Sequence, residues 1–511
     1  MKTTPGLHYF NPAPHSSEEV TVDVCVYGGV SGGVIAAIEA SRRGLNVILL
    51  EQSAHLGGMT TGGLGMTDIG NKAAIGGMAR EFYQRVGAKY GRDIEWCFEP
   101  HVAEAVFEEW LQETSVRVLR RQFVESVDMH QSAIRSLRTV SGLVVHAKIF
   151  IDCSYEGDLL AHAGVSFHVG REDNSVYGET LNGAQIREKH QFEGLVDPYV
   201  VPGSPASGLL PGIESSSFTQ GEGDSRVQAY NFRMCLTQRE DIRVPFPKPE
   251  NYRPEWYILL KRHLNTGWNE AFQKFDPICN GKTDTNNHGA VSTDYIGQNF
   301  AYPMASYLDR EKIFQAHVNY QQGIMWWLAN DPEIPAAIHE PMSTWGLCAD
   351  EFIDCGHWSQ ALYIREARRM VSDYVMTEAH CCHRIEAPES VGLAAYGMDS
   401  HNCRRVVIDG HVMNEGDVQV GVTKPYPLPY RSIVPRRNEC TNLFVTFCLS
   451  ASHIAFGSIR MEPVFMVLSQ SAAIAAAIAI EGKLPVQDVP YEVLRPELLA
   501  RQQILKPVES N

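Results

Sequence analysis

The feature that most constrains the fold is a glycine-rich turn between two apolar runs near the start of the chain. Residues 22–27 form an apolar, β-prone run, residues 28–33 read Gly-Gly-Val-Ser-Gly-Gly, and an Ala- and Ile-rich stretch follows as far as Arg43. A second apolar run occupies residues 46–50. This order is typical of a β-α-β unit of about thirty residues. We therefore predict an α/β fold that opens with this unit.

The glycine spacing matches the dinucleotide-binding fingerprint G-x-G-x-x-G at its first and last positions, Gly28 and Gly33, whereas Val30 takes the middle position. Gly28 permits a tight turn, and Gly33 permits close packing of helix on strand. The start of the following helix offers N–H groups to a pyrophosphate, and Ser31 adds a hydroxyl donor. Glu51 ends the second run, where a carboxylate can accept hydrogen bonds from a ribose. A glycine turn in another α/β fold is the alternative.

A second glycine-rich segment follows directly, His55-Leu-Gly-Gly-Met-Thr-Thr-Gly-Gly-Leu-Gly65. Its glycines let backbone amides approach a ligand closely. With this segment the chain resembles the FAD-dependent oxidoreductase family whose members share a glutathione-reductase-type FAD domain. The resemblance covers about residues 21–505, and further segments that carry it are residues 151–158, 170–172, 363–369, 398–401 and 449–463. It implies FAD as the cofactor.

The predicted domain organisation follows from a change in the sequence pattern along the chain. Between about 170 and 420, long aromatic and Pro-bearing segments replace the α/β pattern, with helices predicted at 308–329 and 359–379. A strand at 443–447 and a small-residue helix at 463–480 are expected to return to the first domain. The predicted fold is a Rossmann-like FAD-binding domain of glutathione-reductase type with a large inserted α+β substrate domain. Its predicted parts are an N-terminal arm (1–20), the first part of the FAD domain (21–170), the insert (171–424) and the C-terminal part of the FAD domain (425–511).

Further FAD contacts are placed by the resemblance. Val124 would present its backbone to the adenine, with a buried strand valine as the alternative. The helix that begins near Pro463 would aim its N–H groups at flavin O2 and N1, with a merely buried helix as the alternative. The predicted cofactor-binding residues are Gly28, Gly29, Ser31, Gly33, Glu51, Gln52, Gly57, Gly58, Met59, Thr60, Val124, Asp152, Cys153, Glu462 and Met466.

Flavin chemistry requires a base or acid near N5 and donors that fix the substrate. His453, at the end of a predicted apolar strand, is one candidate, although a structural role is more common for a histidine. His401 is a second candidate, with Asp399 as its orienting partner. Arg460 would bind a substrate oxygen or form a salt bridge to Glu462 or another carboxylate.

Arg365 is the fourth candidate for the chemistry. With Arg368 and Arg369 it has helical spacing, which predicts a basic helix face. Interdomain salt bridges are the alternative function of these arginines. His55 is a candidate for covalent flavin attachment, but its spacing to the glycines differs from the succinate dehydrogenase pattern.

Charge and cysteine usage exclude several classes of function. The formal charge is -16, which disfavours binding to nucleic acids. The twelve cysteines include no C-x-x-C pair, so no metal site is predicted. A second nucleotide fingerprint and a redox C-x-x-x-x-C are both missing, which disfavours a disulfide reductase that uses NAD(P)H. The sequence shows neither a signal peptide nor an apolar run long enough for a membrane span, so the predicted location is cytoplasmic.

The sequence thus predicts an FAD-dependent dehydrogenase or oxidase that takes hydride from a small polar organic substrate to flavin N5. The electron acceptor would be oxygen, a quinone or a carrier protein. A flavin-dependent monooxygenase or dehalogenase is the second hypothesis. A noncatalytic flavin-binding interaction protein is the third.

Overall fold

The computed structural model describes residues 6–215, 217–271 and 273–507. The strands are β1 (Glu19–Tyr27), β2 (Val47–Leu50), β3 (Arg117–Leu119), β4 (Val124–His130), β5 (Ala133–Thr139), β6 (Val144–Asp152), β7 (Phe167–Val169), β8 (Ile213–Glu214), β9 (Met234–Thr237), β10 (Arg243–Val244), β11 (Phe275–Pro277), β12 (Lys282–Thr285), β13 (Gly346–Cys348), β14 (Arg368–Met370), β15 (Ser390–Ala394), β16 (Met398–Ser400), β17 (Arg404–Ile408), β18 (His411–Glu415), β19 (Val418–Val420), β20 (Tyr426–Pro429) and β21 (Leu443–Val445). The helices are α1 (Ser31–Arg42), α2 (Gly77–Lys89), α3 (Pro100–Gln112), α4 (Asp158–His162), α5 (Asn174–Tyr177), α6 (Ile258–Leu264), α7 (Tyr307–Asn330), α8 (Ala336–Thr344), α9 (Glu378–Cys381), α10 (His453–Ile459), α11 (Glu462–Gly482) and α12 (Tyr491–Ala500).

The first sheet has a parallel centre in the order β3-β2-β1-β6, with β21 also parallel to β6. Every residue of β2 is buried, as expected for a parallel strand covered on both faces. The antiparallel strands β4 and β5 extend the sheet beside β6. The predicted opening β-α-β unit is β1, α1 and β2. The carboxyl ends of β1, β2 and β6 therefore lie at one edge, beside the glycine turn.

Helix α11 packs against α1, which brings the C-terminal part of the chain to the first sheet. By length and composition alone, this helix is long and apolar enough to cross a membrane. The polar residues Ser469-Gln470-Ser471 divide it, so the sequence shows no single long apolar run. However, 83% of its most apolar window is buried inside the fold. Its apolar surface is thus used for packing, and no membrane anchoring is indicated.

A second, antiparallel sheet has the strand order β10-β13-β9-β12-β11. Together with α7 it surrounds a separate hydrophobic core that includes Phe232, Tyr302 and Ile324. The N-terminal segment lies on this region, because the backbone N–H groups of Tyr9 and Phe10 both donate to Glu311 of α7. The domain limits given above stay predictions, and residues 1–5 of the arm lie outside the described residues.

The helix predicted at 359–379 is wrong. Residues 361–367 are irregular, β14 follows, and the short helix α9 begins only at Glu378. Arg365, Arg368 and Arg369 therefore do not form one helix face; each is buried and faces its own acidic partner. These tertiary ion pairs override the local helical spacing. The helices predicted at 308–329 and 463–480 are present as α7 and α11.

Candidate active site

The glycine turn lies at the carboxyl edge of the first sheet in a tightly packed conformation. Gly28 has a φ of 97°, and a Cβ atom there would lie 2.8 Å from the backbone carbon of Cys153. A Cβ atom on Gly33 would lie 1.8 Å from the Gly28 oxygen, so α1 can approach β1 only with glycine at this position. Val30 has ordinary extended geometry and packs against Gly58, whose own Cβ would meet it at 2.8 Å. Val30, the residue that departs from the fingerprint, therefore fits because Gly58 in the second glycine segment has no side chain.

Glu51 occupies the predicted carboxylate position at the end of β2. Its two oxygens accept hydrogen bonds from the backbone N–H groups of Gly29 at 2.6 Å and Ser53 at 2.7 Å. Burial raises the pKa of Glu51, and these N–H groups oppose the shift. Gln52, the next residue, lies 3.5 Å from Asp158. The arrangement fixes a carboxylate beside the glycine turn.

A second buried carboxylate, Glu462, joins the glycine turn to the start of α11. It accepts hydrogen bonds from the hydroxyls of Ser31, of Thr60 at 3.0 Å and of Tyr155 at 2.7 Å. Burial raises the pKa of Glu462, while the three hydroxyl donors lower it. The structure thus brings three predicted cofactor-binding residues into one network.

Glu462 and Tyr155 also border a row of neighbouring cavities. A cleft of about 80 Å³ is lined by Glu51, Gly58 and Tyr155. Tyr155 also lines a narrow space of about 10 Å³, together with Glu462, Tyr363 and Arg460. Tyr363 and Arg460 in turn line a polar cleft of about 580 Å³. The wall formed by these two side chains therefore separates the polar cleft from the narrow space.

The polar cleft contains two of the predicted chemical residues, Arg460 and His401. Arg460 donates to the Tyr363 hydroxyl at 3.0 Å and to Asp399 at 2.9 Å. His401 Nδ1 lies 2.7 Å from Asp294, and its Nε2 lies 3.6 Å from Asp399. Asp294 is therefore the closer partner of His401, and Asp399, the orienting partner that the sequence predicted, faces the opposite ring nitrogen.

The electrostatics of the cleft favour ionised aspartates. Burial alone would raise the pKa of Asp399, but His401 and Arg460 lower it to about 2. Burial also opposes ionisation of Asp294, but Arg365 and His401 lower its pKa. His401 thus stands between two carboxylates that stay charged across the physiological pH range.

A family model described as FAD dependent oxidoreductase matches residues 23–498. The chain belongs to this family. FAD is accordingly the cofactor of the protein, and oxidoreductase is its enzyme class. No curated protein matches the chain.

Solved structures of other flavoproteins resemble parts of this FAD-dependent oxidoreductase. THI4 of Thermovibrio ammonificans is 17% identical and matches 30% of this chain and 66% of its own, with a TM-score of 0.24. L-proline dehydrogenase of P. horikoshii is 16% identical over 31% of this chain and 59% of its own, with a TM-score of 0.24. L-amino acid deaminase of Proteus vulgaris is 14% identical over 32% of this chain and 54% of its own, with a TM-score of 0.24. The chain thus spans less than two thirds of each of these proteins.

The described residues fit FAD on three grounds. The N–H groups in the first turn of α1 directly follow the glycine turn, and no side chain caps them, so they can bind a pyrophosphate. Glu51 offers its carboxylate at the edge of the cleft that Tyr155 lines. The start of α11 reaches the narrow space beside Tyr155 through Glu462, where the prediction puts the flavin end.

Other predicted cofactor residues lie deeper in the protein. Val124 donates its N–H to the Tyr27 hydroxyl, and its carbonyl accepts from Tyr307 at 2.8 Å, so both backbone groups are already bonded. Asp152 accepts from Ser154, and burial raises its pKa to about 6. Burial raises the pKa of the Cys153 thiol to about 12. Gly57 and Met59 lie in the second glycine segment, and Met466 is buried within α11.

His453 lies behind the wall of the narrow space, whereas Arg365 lines it. His453 is the first residue of α10, not the end of a strand, and is 1% exposed. Its Nδ1 lies 2.7 Å from Glu366, which also lines this space. The Arg365 guanidinium pairs with Asp294 at 3.1 Å and lies over the Tyr363 ring. His453 thus acts on the narrow space only through Glu366.

Three residues of the site were missed by sequence reasoning. Tyr155 and Tyr363 lie inside segments that carry the family resemblance, so their positions in those motifs could have identified them as site residues. Asp294 had no such signal, because it lies in a segment without a motif and reaches His401 only through the fold.

Two groups of side chains among the described residues have atoms close enough for a metal ion. His55, Asp354 and Cys355 form one group, in which His55 Nδ1 also lies 2.9 Å from Glu104. The second group is Glu99, His101 and Glu351. There the Lys282 ammonium lies 2.8 Å from Glu99 and 2.7 Å from Glu351, so this cluster already holds a cation. The prediction of no metal site stays a prediction.

Proposed function

We propose that this protein is a dehydrogenase or oxidase that removes hydride from a small polar organic substrate bound in the polar cleft of about 580 Å³. The observation that carries the proposal is the wall shared by Tyr363 and Arg460, which line both this cleft and the adjoining cavity. Bound FAD would supply the two-electron acceptor, taking hydride at flavin N5.

His401 is the proposed base. Asp294 accepts a hydrogen bond from Nδ1, which fixes the ring and stabilises the imidazolium that forms when Nε2 takes a proton. The side chain is 11% exposed and lies on the cleft, so a substrate can reach it. Removal of a proton from the substrate oxygen makes departure of hydride from the adjacent carbon easier.

Arg460 is the proposed donor to the substrate. It lines the polar cleft, and its Nη1 makes one hydrogen bond and its Nη2 two. Nη1 therefore keeps one N–H donor for a substrate oxygen. Arg365 lines the adjoining narrow space and contacts the same wall through Tyr363 and Asp294.

His453 is proposed as a positioning residue. It holds Glu366, which also bonds to Arg369 and Gln228, at the edge of the cavity. Replacing His453 by Ala is expected to lower flavin reduction at least tenfold without loss of FAD.

The test of the function is anaerobic reduction of the enzyme-bound flavin by candidate substrates, followed at 450 nm. His401→Gln is expected to lower the reduction rate about 100-fold, within the range for loss of a general base, while FAD content stays the same. The matched control is His130→Gln, since His130 is exposed at the end of β4. Equal rates in His401→Gln and wild type would remove His401 from the chemistry.

The same experiment separates the other hypotheses. Incorporation of labelled oxygen from O₂ into the product would indicate a monooxygenase, and halide release a dehalogenase. A flavin that no organic reductant bleaches would favour the interaction protein. Reoxidation of the reduced enzyme by oxygen, a quinone or a carrier protein identifies the proposed electron acceptor.

A further inference from the structure

The polar cleft differs from an anion-binding site in the way its cations are paired. Arg233 makes two hydrogen bonds to Asp284, at 2.7 and 2.6 Å. Lys274 lies 3.1 Å from Asp276, and Arg460 lies 2.9 Å from Asp399. Each cation on the lining therefore faces a carboxylate of its own. A carboxylate or phosphate on a substrate would have to compete with these partners.

The three histidines of the cleft are paired in the same way. His401 Nδ1 lies 2.7 Å from Asp294, His190 Nδ1 lies 2.7 Å from Asp417, and His288 Nε2 lies 3.2 Å from Glu270. With the histidines neutral, these carboxylates, the partners of the three cations and Asp68 outnumber the cations. With all three histidines protonated, six cations still face seven carboxylates. In neither state does the cleft carry the positive excess that an anionic substrate needs.

Two polar groups on the lining remain available for a ligand. Asp68 has its nearest cation, Arg233, 4.0 Å away and receives a hydrogen bond from Tyr396 on one oxygen only. The Asn287 side chain is about nine-tenths buried, lines the cleft and makes no hydrogen bond to any other described residue. A carboxylate acceptor and an amide that both donates and accepts match hydroxyl groups.

The lining also has few aliphatic side chains. Met66 is its one aliphatic side chain among the described residues, and Tyr363 and Tyr396 supply ring faces and hydroxyls. An apolar amine or a steroid-like substrate would leave many polar groups unpaired, which is costly. A ring that carries several hydroxyls would satisfy them and stack on the tyrosines.

From these observations we infer that the substrate is an uncharged polyhydroxylated compound, a sugar or cyclitol, bound through Asp68 and Asn287. The inference rests on the proposed function of the same cleft. Oxidation breaks the C–H and O–H bonds of one CHOH group and forms a C=O bond. The hydroxyl proton goes to His401, and the carbon-bound hydrogen leaves with two electrons to FAD, the oxidant that family membership supplies.

The experiment uses the purified holoenzyme and matched sets of compounds under anaerobic conditions. Each set contains a neutral sugar, its uronic acid and its amino sugar, for example glucose, glucuronate and glucosamine, with the galactose, mannose and inositol series beside it. We expect at least one neutral member to reduce the flavin, and its charged relatives to do so at least tenfold more slowly. Reduction by carboxylates, amines or amino acids alone would overturn the inference but leave the proposed function intact. A flavin that no compound reduces would count against the proposed function itself.

Variants test the two binding residues. Asp68→Asn and Asn287→Ala are expected to raise KM for the neutral substrate about tenfold and to change the saturating rate much less, with FAD content unchanged. Asp68→Lys is expected to shift preference toward the uronic acid, an effect that general loss of structure cannot produce. Asp93→Asn, at an exposed aspartate that is not part of the cleft lining, is the control. An unchanged KM and unchanged preference in all three variants would exclude these residues from substrate binding.

Discussion

The glycine turn and the polar cleft are built from the chain in opposite ways. The turn and its carboxylate come from one continuous stretch, residues 28–65, at the edge of parallel strands. The cleft takes Asp68, Asn287, Tyr363, His401 and Arg460 from five separate segments. The first region is therefore encoded locally, and the second exists only once both sheets have packed. Variants in the two regions test this difference, and the largest effect is expected in the glycine turn.

Gly33→Ala should abolish FAD binding, because the new Cβ would lie 1.8 Å from the Gly28 oxygen and push α1 away from β1. The bound FAD, measured from the 450 nm absorbance released by acid, is expected to fall at least tenfold. Gly421→Ala is the control, since a Cβ there meets nothing within 4 Å. Normal FAD content in Gly33→Ala would show that the turn does not form the cofactor site.

Asp399→Asn tests the charge network of the cleft. The pKa of Asp399 is lowered from 3.8 to about 2, so its ionised form stabilises the fold above pH 4, and this stabilisation is lost as the pH falls toward 2. The shift corresponds to about 2 kcal/mol. In urea unfolding, the stability difference between wild type and variant should therefore shrink on acidification. A difference that stays constant with pH would contradict the proposed pairing with Arg460 and His401.

Glu51→Gln should weaken FAD binding about tenfold, or roughly 1.4 kcal/mol, because the neutral amide loses the charge-assisted bonds of the carboxylate. Titration of the apoprotein with FAD, followed by quenching of flavin fluorescence, measures the dissociation constant. Glu125→Gln, at an exposed position of β4, is expected to bind FAD normally. Unaltered affinity in Glu51→Gln would place the ribose elsewhere.

The smallest effect is expected for polyanions. The formal charge is -16, and the arginines of the cleft are neutralised by their aspartates, so heparin should not retain the protein at low salt. Phosphate at millimolar concentration should likewise leave substrate-driven flavin reduction unchanged. Strong retention or inhibition would reveal an unpaired basic surface and would weaken the contrast between the two regions.

The sequence predicted the first region in detail for a physical reason. Residues 22–51 contain two buried strands, a glycine turn and a buried helix in a single unit, so local sequence patterns are sufficient to predict it. The family model confirms FAD as the cofactor. The helix predicted for the arginine segment was wrong because Arg365, Arg368 and Arg369 have helical spacing but do not lie in a helix. Residues 361–367 are irregular and β14 follows, and Arg365 and Arg369 pair with the buried acids Asp294 and Glu172. Asp294 acquires its role from a contact across 107 residues of chain, which no local pattern encodes.

The wall formed by Tyr363 and Arg460 has a consequence for the order of events during turnover. A cofactor lying beyond this wall would be reached by substrates from the polar side, while its own entrance, near Glu51 and His55, lies on the far side of Tyr155. Substrate and product would then exchange without release of FAD. Product would leave the polar cleft before the reduced enzyme reacts with its electron acceptor. Such a protein would follow ping-pong kinetics, with parallel double-reciprocal lines for substrate and acceptor.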